Sequence, residues 1–460
     1  TLFRSNPQIR KAALVSSGRV AKPQLWPYII KNLFDITYSN TAIKAIKIIG
    51  NPILEELDNH FEKHTTPKQI KLKIIAVYSR IKGEHALQLL KARIQYPEGD
   101  VRHAVLKALS KREYHATLSD SGLVKKAIEE EIAMIVWVMA AQNDIQKEAD
   151  LQRLSDALKF ELNRKKENVF LLLSMLYDSK TILYIRESLK SETSESKVFA
   201  TEILDLTVSE EIKKLLLPFI EASSLEESIR LYGNLFPQQK LKVFERLNDI
   251  VNKDYTKINR WTKACALILM EGFHENERVL LSNILNPDPF LKQLSINLLK
   301  KKKSGRFEFI FPKLCSQQGD LFHANEIVAG NRLSGYSLFD KVNLLKNNPF
   351  FANISLPDIS VIIENSKEIT ITGTDNFNLG SLYQESIFFI LSGKINVFVN
   401  NTEKKQLRTN DIYWGIINSD EDETIFKSES TSLLLAITPD LIYDIMNENS
   451  EFTIEIIEKL

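Results

Sequence analysis

The motifs most able to carry chemistry in this sequence are a histidine pair and a short serine-containing segment. His60 and His64 stand four residues apart in "HFEKH", a spacing that places both on one face of a helix. A zinc protease motif needs a glutamate directly after the first histidine, but Phe61 follows and Glu62 comes one residue later. The segment "GYSLF" (335–339) lacks the second glycine of a nucleophile elbow. We therefore interpret the histidines as surface residues and expect neither a catalytic site nor a metal site.

The other common chemical signatures are also missing from the sequence. Neither phosphate-binding fingerprint, GxxxxGK[ST] or GxGxxG, occurs anywhere in the chain. The only two cysteines, Cys265 and Cys315, have no histidine nearby, so we expect core thiols in a reducing compartment. The sequence therefore predicts a protein that is not an enzyme and that carries no cofactor.

Length and composition indicate a chain of several mainly helical domains. The 460 residues are too many for one ordinary core, and only 15 glycines occur, which favours long helices. The longest apolar run, "IAMIVWVMAA" (132–141), has about half of the ~20 residues that a membrane crossing needs, so we interpret it as a buried core helix. The chain opens without a methionine, and we expect it to be a piece of a longer protein.

Charge is distributed unevenly along the chain. Residues 1–120 hold 20 Lys/Arg against 10 Asp/Glu, whereas residues 331–460 hold 10 against 19. A basic first segment is typical of nucleic-acid or anionic-membrane binding, and equally of helices with solvated lysine-rich faces. We expect no nucleic acid as a partner and leave anionic lipid open.

Residues 1–120 show a loose repeat of about 30 residues, and each unit reads as two helical stretches separated by glycine or proline. Breaks are predicted near Gly18 and Pro23, at Gly50-Asn51-Pro52 and at Gly83. Within the second unit, Ile43, Ile46 and Ile49 recur at helical spacing and predict an inner face. The units lie at residues 6–33, 39–64, 67–97 and 99–115.

The openings of these units resemble HEAT-type repeats. Pro7, Arg10 and Ala13 follow the P-x-x-R-x-x-A pattern, which Asp100, Arg102 and Ala104 echo. The resemblance implies a right-handed α-solenoid, because a helix pair buries its apolar face only by stacking on its neighbours. Helical units of less regular length continue over 121–320, and the segments 168–190, 195–221 and 286–303 are each predicted to be helix pairs. Connecting helices are predicted for 321–345.

Residues 346–460 follow a different plan, with one short helix (355–366), a series of short strands and two closing helices. The strands are predicted in "EITIT", "SIFFIL", "KINVFV", "KKQLRT", "IYWGII", "TIFKSE" and "SLLLAIT". Within "FFILSGKINVFV", Ser392-Gly393 is predicted to form the tight turn of a β-hairpin. This pattern predicts a small β-barrel or jelly roll with flanking helices.

The order and spacing of these segments resemble the cyclic-nucleotide-binding domain family. "FFILSGKINVFV" is similar to its central I-L-S-G-x-V-x-V segment, and "LRTNDIYWGI" to its L-x-x-G-D-x-F-G-E segment. In that family a glutamate holds the ribose hydroxyl and an arginine neutralises the cyclic phosphate. Here no arginine follows Arg408, and an acidic run occupies the corresponding stretch. The resemblance therefore implies a degenerate domain, with a vestigial pocket at Trp414, Gly415, Ile416, Asp422, Glu423 and Thr424 and no expected cyclic nucleotide.

The order of parts, helical repeats and then a degenerate barrel, also resembles the soluble extension of bacterial ATP/ADP-translocase-like membrane proteins. The stretch 197–221 is the most similar to that extension. The resemblance implies a cytoplasmic regulatory or scaffolding module of a transporter-like protein, at the inner face of a membrane, with protein partners on the solenoid surface and a membrane domain in the same polypeptide. The alternative is a sensor that binds a cyclic nucleotide or another small anion and relays binding to the helices.

Overall fold

The computed structural model describes residues 7–35, 38–145, 151–190, 194–222, 224–273, 276–317, 336–373, 376–379, 383, 386–414 and 423–438, with isolated positions after 440. These residues are mainly helical and end in an antiparallel region of two sheets. Residues Gly50–Ser304 form one compact unit, and Thr1–Ile49 group with Gly305–Leu460 in a second. The predicted closing helices lie largely outside the described residues.

The first three helices pack together, and the backbones of the first and the third come very close to each other. They are α1 (Pro7–Val20), α2 (Trp26–Lys31) and α3 (Ser39–Ile49). The break predicted near Gly18 and Pro23 is confirmed, because α1 ends at Val20 and a short helical turn begins at Pro23, although Gly18 itself lies inside α1. A Cβ atom at Gly18 would lie 2.7 Å from the carbonyl oxygen of Ala45, so glycine is what lets α1 approach α3. The predicted inner face of α3 is confirmed, because Ile43, Ile46 and Ile49 are all buried.

The unit Gly50–Ser304 consists of helices joined by short turns. Gly50 and Gly83 have φ angles of 75° and 122°, which L side chains rarely adopt, so the breaks predicted at both glycines are confirmed. Its helices are α4 (Leu54–Phe61), α5 (Lys68–Arg80), α6 (Glu84–Lys91), α7 (Gly99–Lys111), α8 (Leu118–Ile145), α9 (Gln152–Leu176), α10 (Ser179–Lys190), α11 (Ser194–Thr207), α12 (Glu210–Glu221), α13 (Leu225–Leu231), α14 (Val243–Asn252), α15 (Arg260–Leu269), α16 (Asn276–Asn283) and α17 (Pro289–Lys301).

Of the three segments predicted to be helix pairs, two are confirmed and one is wrong. The segment 168–190 contains the end of α9 and all of α10, and the segment 195–221 contains α11 and α12, so both breaks are confirmed. The segment 286–303 forms the single helix α17, and the prediction of a pair there is wrong. The Asp288 side chain caps this helix by accepting hydrogen bonds from the N–H groups of Phe290 and Leu291.

The long helices α8 and α9 pack against each other at the centre of this unit. Most of the apolar run 132–141 is buried within α8, which confirms the prediction of a core helix. Across the described ranges, every helix is either too short or too polar to cross a bilayer.

The C-terminal region begins with α18 (Gly305–Gln317), α19 (Leu338–Lys346) and α20 (Leu356–Asn365), followed by eight strands. The strands are β1 (Lys367–Ile371), β2 (Asn376–Asn378), β3 (Ile387–Ser392), β4 (Lys394–Val399), β5 (Thr402–Arg408), β6 (Ile412–Trp414), β7 (Thr424–Lys427) and β8 (Ser432–Ile437). One sheet has the strand order β1-β8-β3-β6 and the other the order β2-β7-β4-β5, and all strand pairs are antiparallel. All seven predicted strands are present, and β2 was not predicted.

The prediction of a hairpin turn at Ser392-Gly393 is wrong. Strands β3 and β4 belong to different sheets, so Gly393 carries the chain around a corner from one sheet to the other. The hairpin lies one strand later, where Asn400 and Asn401, both with positive φ, connect β4 to β5. Two consecutive residues with positive φ form the turn that matches the twist of paired strands.

The two sheets differ in how they are buried. Strand β8 is buried at every residue and β3 at all but its last, because one face meets the other sheet and α19 and α20 contact the same strands. Strands β4 and β5 of the other sheet keep exposed positions. A strand covered on both faces reads as a continuous apolar run, as "IFFIL" does.

Candidate functional site

The structure places three of the six residues predicted for a vestigial nucleotide pocket. Trp414 ends β6 and is buried, and its ring meets that of Phe350 edge-on at 6.2 Å between centroids. Thr424 is buried at the start of β7. The Glu423 carboxylate accepts a hydrogen bond of 2.6 Å from the Asn378 side chain. Gly415, Ile416 and Asp422 lie outside the described residues.

The space between the two sheets is filled by aromatic side chains. Phe388 and Tyr413 come from one sheet, Phe426 and Phe377 from the other, and Tyr383 lies in the segment between β2 and β3. The ring centroid of Phe426 lies 5.0 Å from that of Phe388 and 5.2 Å from that of Tyr413. These distances are those of packed edge-to-face pairs, so this part of the interior is a closed core.

The sole cation between Arg408 and Lys459 lies on the outside of this region. The Lys427 ammonium is positioned over the ring of Phe398, 4.6 Å from its centroid. It is thus held in a cation–π contact on the second sheet.

A different site, which sequence reasoning missed, lies within the unit Gly50–Ser304. It is a cavity of about 90 Å³ bounded by the first turns of α5, α7, α15 and α17, one side of α9, and the segment 255–259. Its lining is dominated by charged side chains. The cations are Lys68, Arg164, Lys165, Lys257, Arg260 and Lys263, and the carboxylates are Glu98, Asp100, Glu161 and Asp288.

Asp100 is the centre of one wall of this cavity. Its two carboxylate oxygens lie 2.5 Å from the Lys68 Nζ atom and 2.7 Å from an Arg164 guanidinium nitrogen. Burial alone would raise the pKa of Asp100, but the two cations outweigh burial and hold that pKa below its usual range. Asp100 is therefore ionised, and two positive charges share one negative charge.

Lys263 forms a second wall and is almost completely buried, with 4% of its surface exposed. Its ammonium donates hydrogen bonds to the main-chain carbonyl groups of Val251 and Lys253. No carboxylate in the described ranges lies within ion-pair distance of it. Burial lowers its pKa, and the more distant charges of Asp254 and Asp288 act against that shift.

Of the remaining carboxylates of the lining, Glu161 and Asp288 have donors of their own. Glu161, which is buried, accepts hydrogen bonds from the Asn259 N–H group at 2.6 Å and from the Thr262 hydroxyl at 3.2 Å. Asp288 lies 3.2 Å from the Arg260 guanidinium. Burial raises the pKa of Glu161 and also that of Glu98.

Behind the lining lies a buried ion network that joins three helices. Glu131 of α8 is fully buried, 2.9 Å from a guanidinium nitrogen of Arg102 on α7 and 3.4 Å from the ammonium of Lys165 on α9. Arg102 also lies 3.6 Å from the Glu130 carboxylate, so the network holds two cations and two carboxylates, and Lys165 of the lining is paired from behind.

The two histidines and two cysteines noted in the sequence lie away from these features. His60 lies on α4, 3.9 Å from the Glu56 carboxylate, and His64 is exposed. Cys265 and Cys315 are buried free thiols, as predicted. Burial raises the pKa of Cys265 to about 12. Within the described ranges, no three His, Cys, Asp or Glu side chains are grouped so that they could hold a metal ion.

Neither a protein-family model nor a curated protein matches the sequence of this chain.

Proposed function

We propose that this chain is a non-enzymatic regulatory or scaffolding module, made of HEAT-like helical repeats followed by a β-barrel of cyclic-nucleotide-binding type that no longer binds the nucleotide. The observation that carries the proposal is the aromatic cluster between the sheets. With Phe388, Tyr413 and Phe426 in mutual contact, that space is occupied by side chains. The Glu423 carboxylate, at the end of the acidic run, adds a negative charge that repels a cyclic phosphate.

The exposed surface of the helices supports a role in protein binding. On α11, Val198, Phe199 and Leu206 project from one face with 59%, 52% and 90% of their surfaces exposed, while Ala200 and Leu204 are buried on the other. Exposed apolar side chains grouped on one helix face are typical of contact surfaces for other proteins. We propose that protein partners bind to the helical repeats.

The basic residues of the first 120 positions support lipid binding less strongly than the exposed apolar residues support protein binding. Lys44 and Lys47 are exposed on α3, but Lys68 is paired with Asp100. Lys71 donates a hydrogen bond to the Tyr96 hydroxyl. Anionic lipid therefore remains a secondary partner in the proposal.

Titration calorimetry with cAMP and cGMP tests the loss of nucleotide binding. We expect no saturable binding at nucleotide concentrations up to about 1 mM, because the loss of a charge-assisted pair costs about 1.5–3 kcal/mol before any repulsion is added. A dissociation constant in the low micromolar range would overturn the proposal in favour of a cyclic-nucleotide sensor.

Cell fractionation tests the proposed location on the cytoplasmic side of a transporter-like membrane protein. An antibody against this chain should detect the native polypeptide in the membrane pellet, at a mass larger than 460 residues account for. The band should withstand a wash at high salt, which removes proteins bound only by charge. A band of the size of this chain in the supernatant would contradict the membrane attachment and leave a free-standing scaffold.

A further inference from the structure

The charged cavity of the unit Gly50–Ser304 has an excess of positive charge that its own side chains do not balance. Six cations and four carboxylates line it, and Lys165 is paired with Glu131 behind the lining, so one positive charge is left over when every carboxylate is ionised. Lys263 and Lys257 make no ion pair within the described part of the chain, and Lys263 is almost completely buried. A buried ammonium held only by carbonyl groups is costly, and a bound anion would lower that cost.

The size and backbone of the cavity point to the same class of ligand. A volume of about 90 Å³ is several times what one water molecule needs and is suited to a tetrahedral oxyanion. Helices α7 and α15 both begin at this cavity, at Gly99 and Arg260, and helix N-termini carry partial positive charge. Three of the four carboxylates are already engaged by donors in the wall, so they present less charge to an incoming anion.

We propose that this cavity binds a dianionic oxyanion of the size of phosphate, either free or as the phosphoryl group of a larger molecule, with Lys263 and Lys257 as its counterions. The net charge of −2 on such a ligand matches the two ammonium groups of the lining, Lys263 and Lys257, that make no ion pair within the described residues. The ligand also joins α5, α9 and α15 through their cations, so its binding stabilises the helical unit. This inference does not depend on the proposed function, because the β region contributes nothing to the site.

Calorimetry and thermal melting of the whole chain with inorganic phosphate test the proposal. Chloride at matched ionic strength is the reference for non-specific screening. We expect saturable binding of phosphate and of sulfate, and a rise in Tm of about 3 °C or more at about 20 mM phosphate. The absence of saturable binding at that concentration would overturn the proposal.

Two lysine variants separate this site from general attraction of anions. Lys257 is only partly buried, so Lys257→Gln should fold and should raise the Kd for phosphate about fivefold or more. Lys82 is exposed in the same unit and does not line the cavity, so Lys82→Gln should leave the Kd unchanged. An equal loss in both variants would contradict the assignment of the site.

Glycerol phosphate, used as a second ligand, distinguishes a free oxyanion from the phosphoryl group of a larger molecule. Tighter binding of glycerol phosphate than of inorganic phosphate would identify the occupant as the phosphoryl group of a larger molecule. Tighter binding of inorganic phosphate would identify the free anion. Either result supports the site, provided that Lys257→Gln weakens it.

Discussion

Gly393 and Ser432 lie so close together that no side chain fits between them. A Cβ atom built on Gly393 would lie 2.1 Å from the Ser432 Oγ atom and 2.8 Å from its Cα atom. The same hydroxyl accepts a hydrogen bond of 3.0 Å from the Lys394 N–H group. The Ser428 hydroxyl donates to the Lys394 carbonyl oxygen at 2.7 Å, so two serines hold the corner where the chain passes between the sheets.

Replacing this glycine should therefore destabilise the β region. Gly393 has a φ of 93°, which an L side chain adopts only with strain, and the added Cβ atom would collide with the Ser432 backbone. We expect Gly393→Ala to lower the free energy of unfolding by about 2–4 kcal/mol in denaturant titrations. The control is Gly122→Ala in α8, where open space surrounds the new methyl group and helix propensity favours alanine by about 0.5–1 kcal/mol. Equal stability of the two variants would contradict the packing of the corner.

The strands of this region were predictable, but the connections between them were not. Alternation of apolar residues in β4 and a continuous apolar run in β3 identify both as strands from local sequence alone. Whether Gly393 forms a hairpin or a corner depends on which strands pair with β3 and β4, and that is decided by distant strands such as β8. The Asn400-Asn401 pair forms the hairpin turn, and two asparagines in a row are a sequence signal for such a turn. The resemblance around Ser392 instead favoured a turn at Ser392-Gly393.

The charged cavity could not be predicted, because the residues that line it are spread over more than two hundred positions. Lys68, Asp100 and Arg164 each read as an ordinary solvated charge on an amphipathic helix. Only the packing of α5, α7 and α9 brings the three together. The spacing of apolar residues does predict which faces of these helices are buried, because apolar residues recur once per helical turn on the buried face.

The buried pair of Arg102 and Glu131 should be a large contributor to cooperative folding of the helical unit. Removing the Glu131 charge leaves the buried Arg102 with only the more distant Glu130 carboxylate at 3.6 Å and takes away the carboxylate paired with Lys165, so we expect Glu131→Gln to destabilise the unit by about 3–5 kcal/mol in chemical denaturation. The exposed pair of Lys125 and Glu211 provides a matched control, and Glu211→Gln should cost less than about 1 kcal/mol. Similar losses of unfolding free energy in both variants would show that burial does not make the Arg102–Glu131 pair more important than an exposed pair.

His103 should make the stability of this unit depend on pH. Burial, aided by the positive charge of Arg164, lowers the pKa of His103 to about 3, while the Nδ1–H group of the ring donates a 2.6 Å hydrogen bond to the Asn168 side-chain oxygen. In the unfolded state the imidazole takes up a proton near pH 6.5, whereas in the folded state it stays neutral down to about pH 3. The folded state therefore has its full stability from this residue above pH 6.5 and loses it as the pH falls towards 3. Between pH 6.5 and 4.5, wild type should therefore lose more stability than His103→Asn. Parallel curves of Tm against pH for the two proteins would refute this role.

The aromatic cluster should be a main source of stability in the β region. Phe426 is fully buried between the sheets, so Phe426→Ala leaves a large cavity and should cost about 3–5 kcal/mol of unfolding free energy. Phe199, with 52% of its surface exposed on α11, is the control, and Phe199→Ala should change stability by no more than about 0.5 kcal/mol. If Phe426→Ala melts like wild type, the interior between the sheets is not the closed core that the proposed function requires.

The packing of α3 allows a prediction on two isoleucines that stand two residues apart. Ile46 is fully buried, whereas Ile48 has 48% of its surface exposed, because two residues along a helix turn the side chain by about 200°. Ile46→Asp places an unpaired carboxylate in an apolar interior and should cost several kcal/mol, with faster cleavage of 7–49 in limited proteolysis. Ile48→Asp adds the same charge to the same helix in contact with water and should melt within about 1 °C of wild type. Because the variants share charge and helix propensity, any difference between them measures burial, and equal melting temperatures would mean that the inner face of α3 has been assigned wrongly.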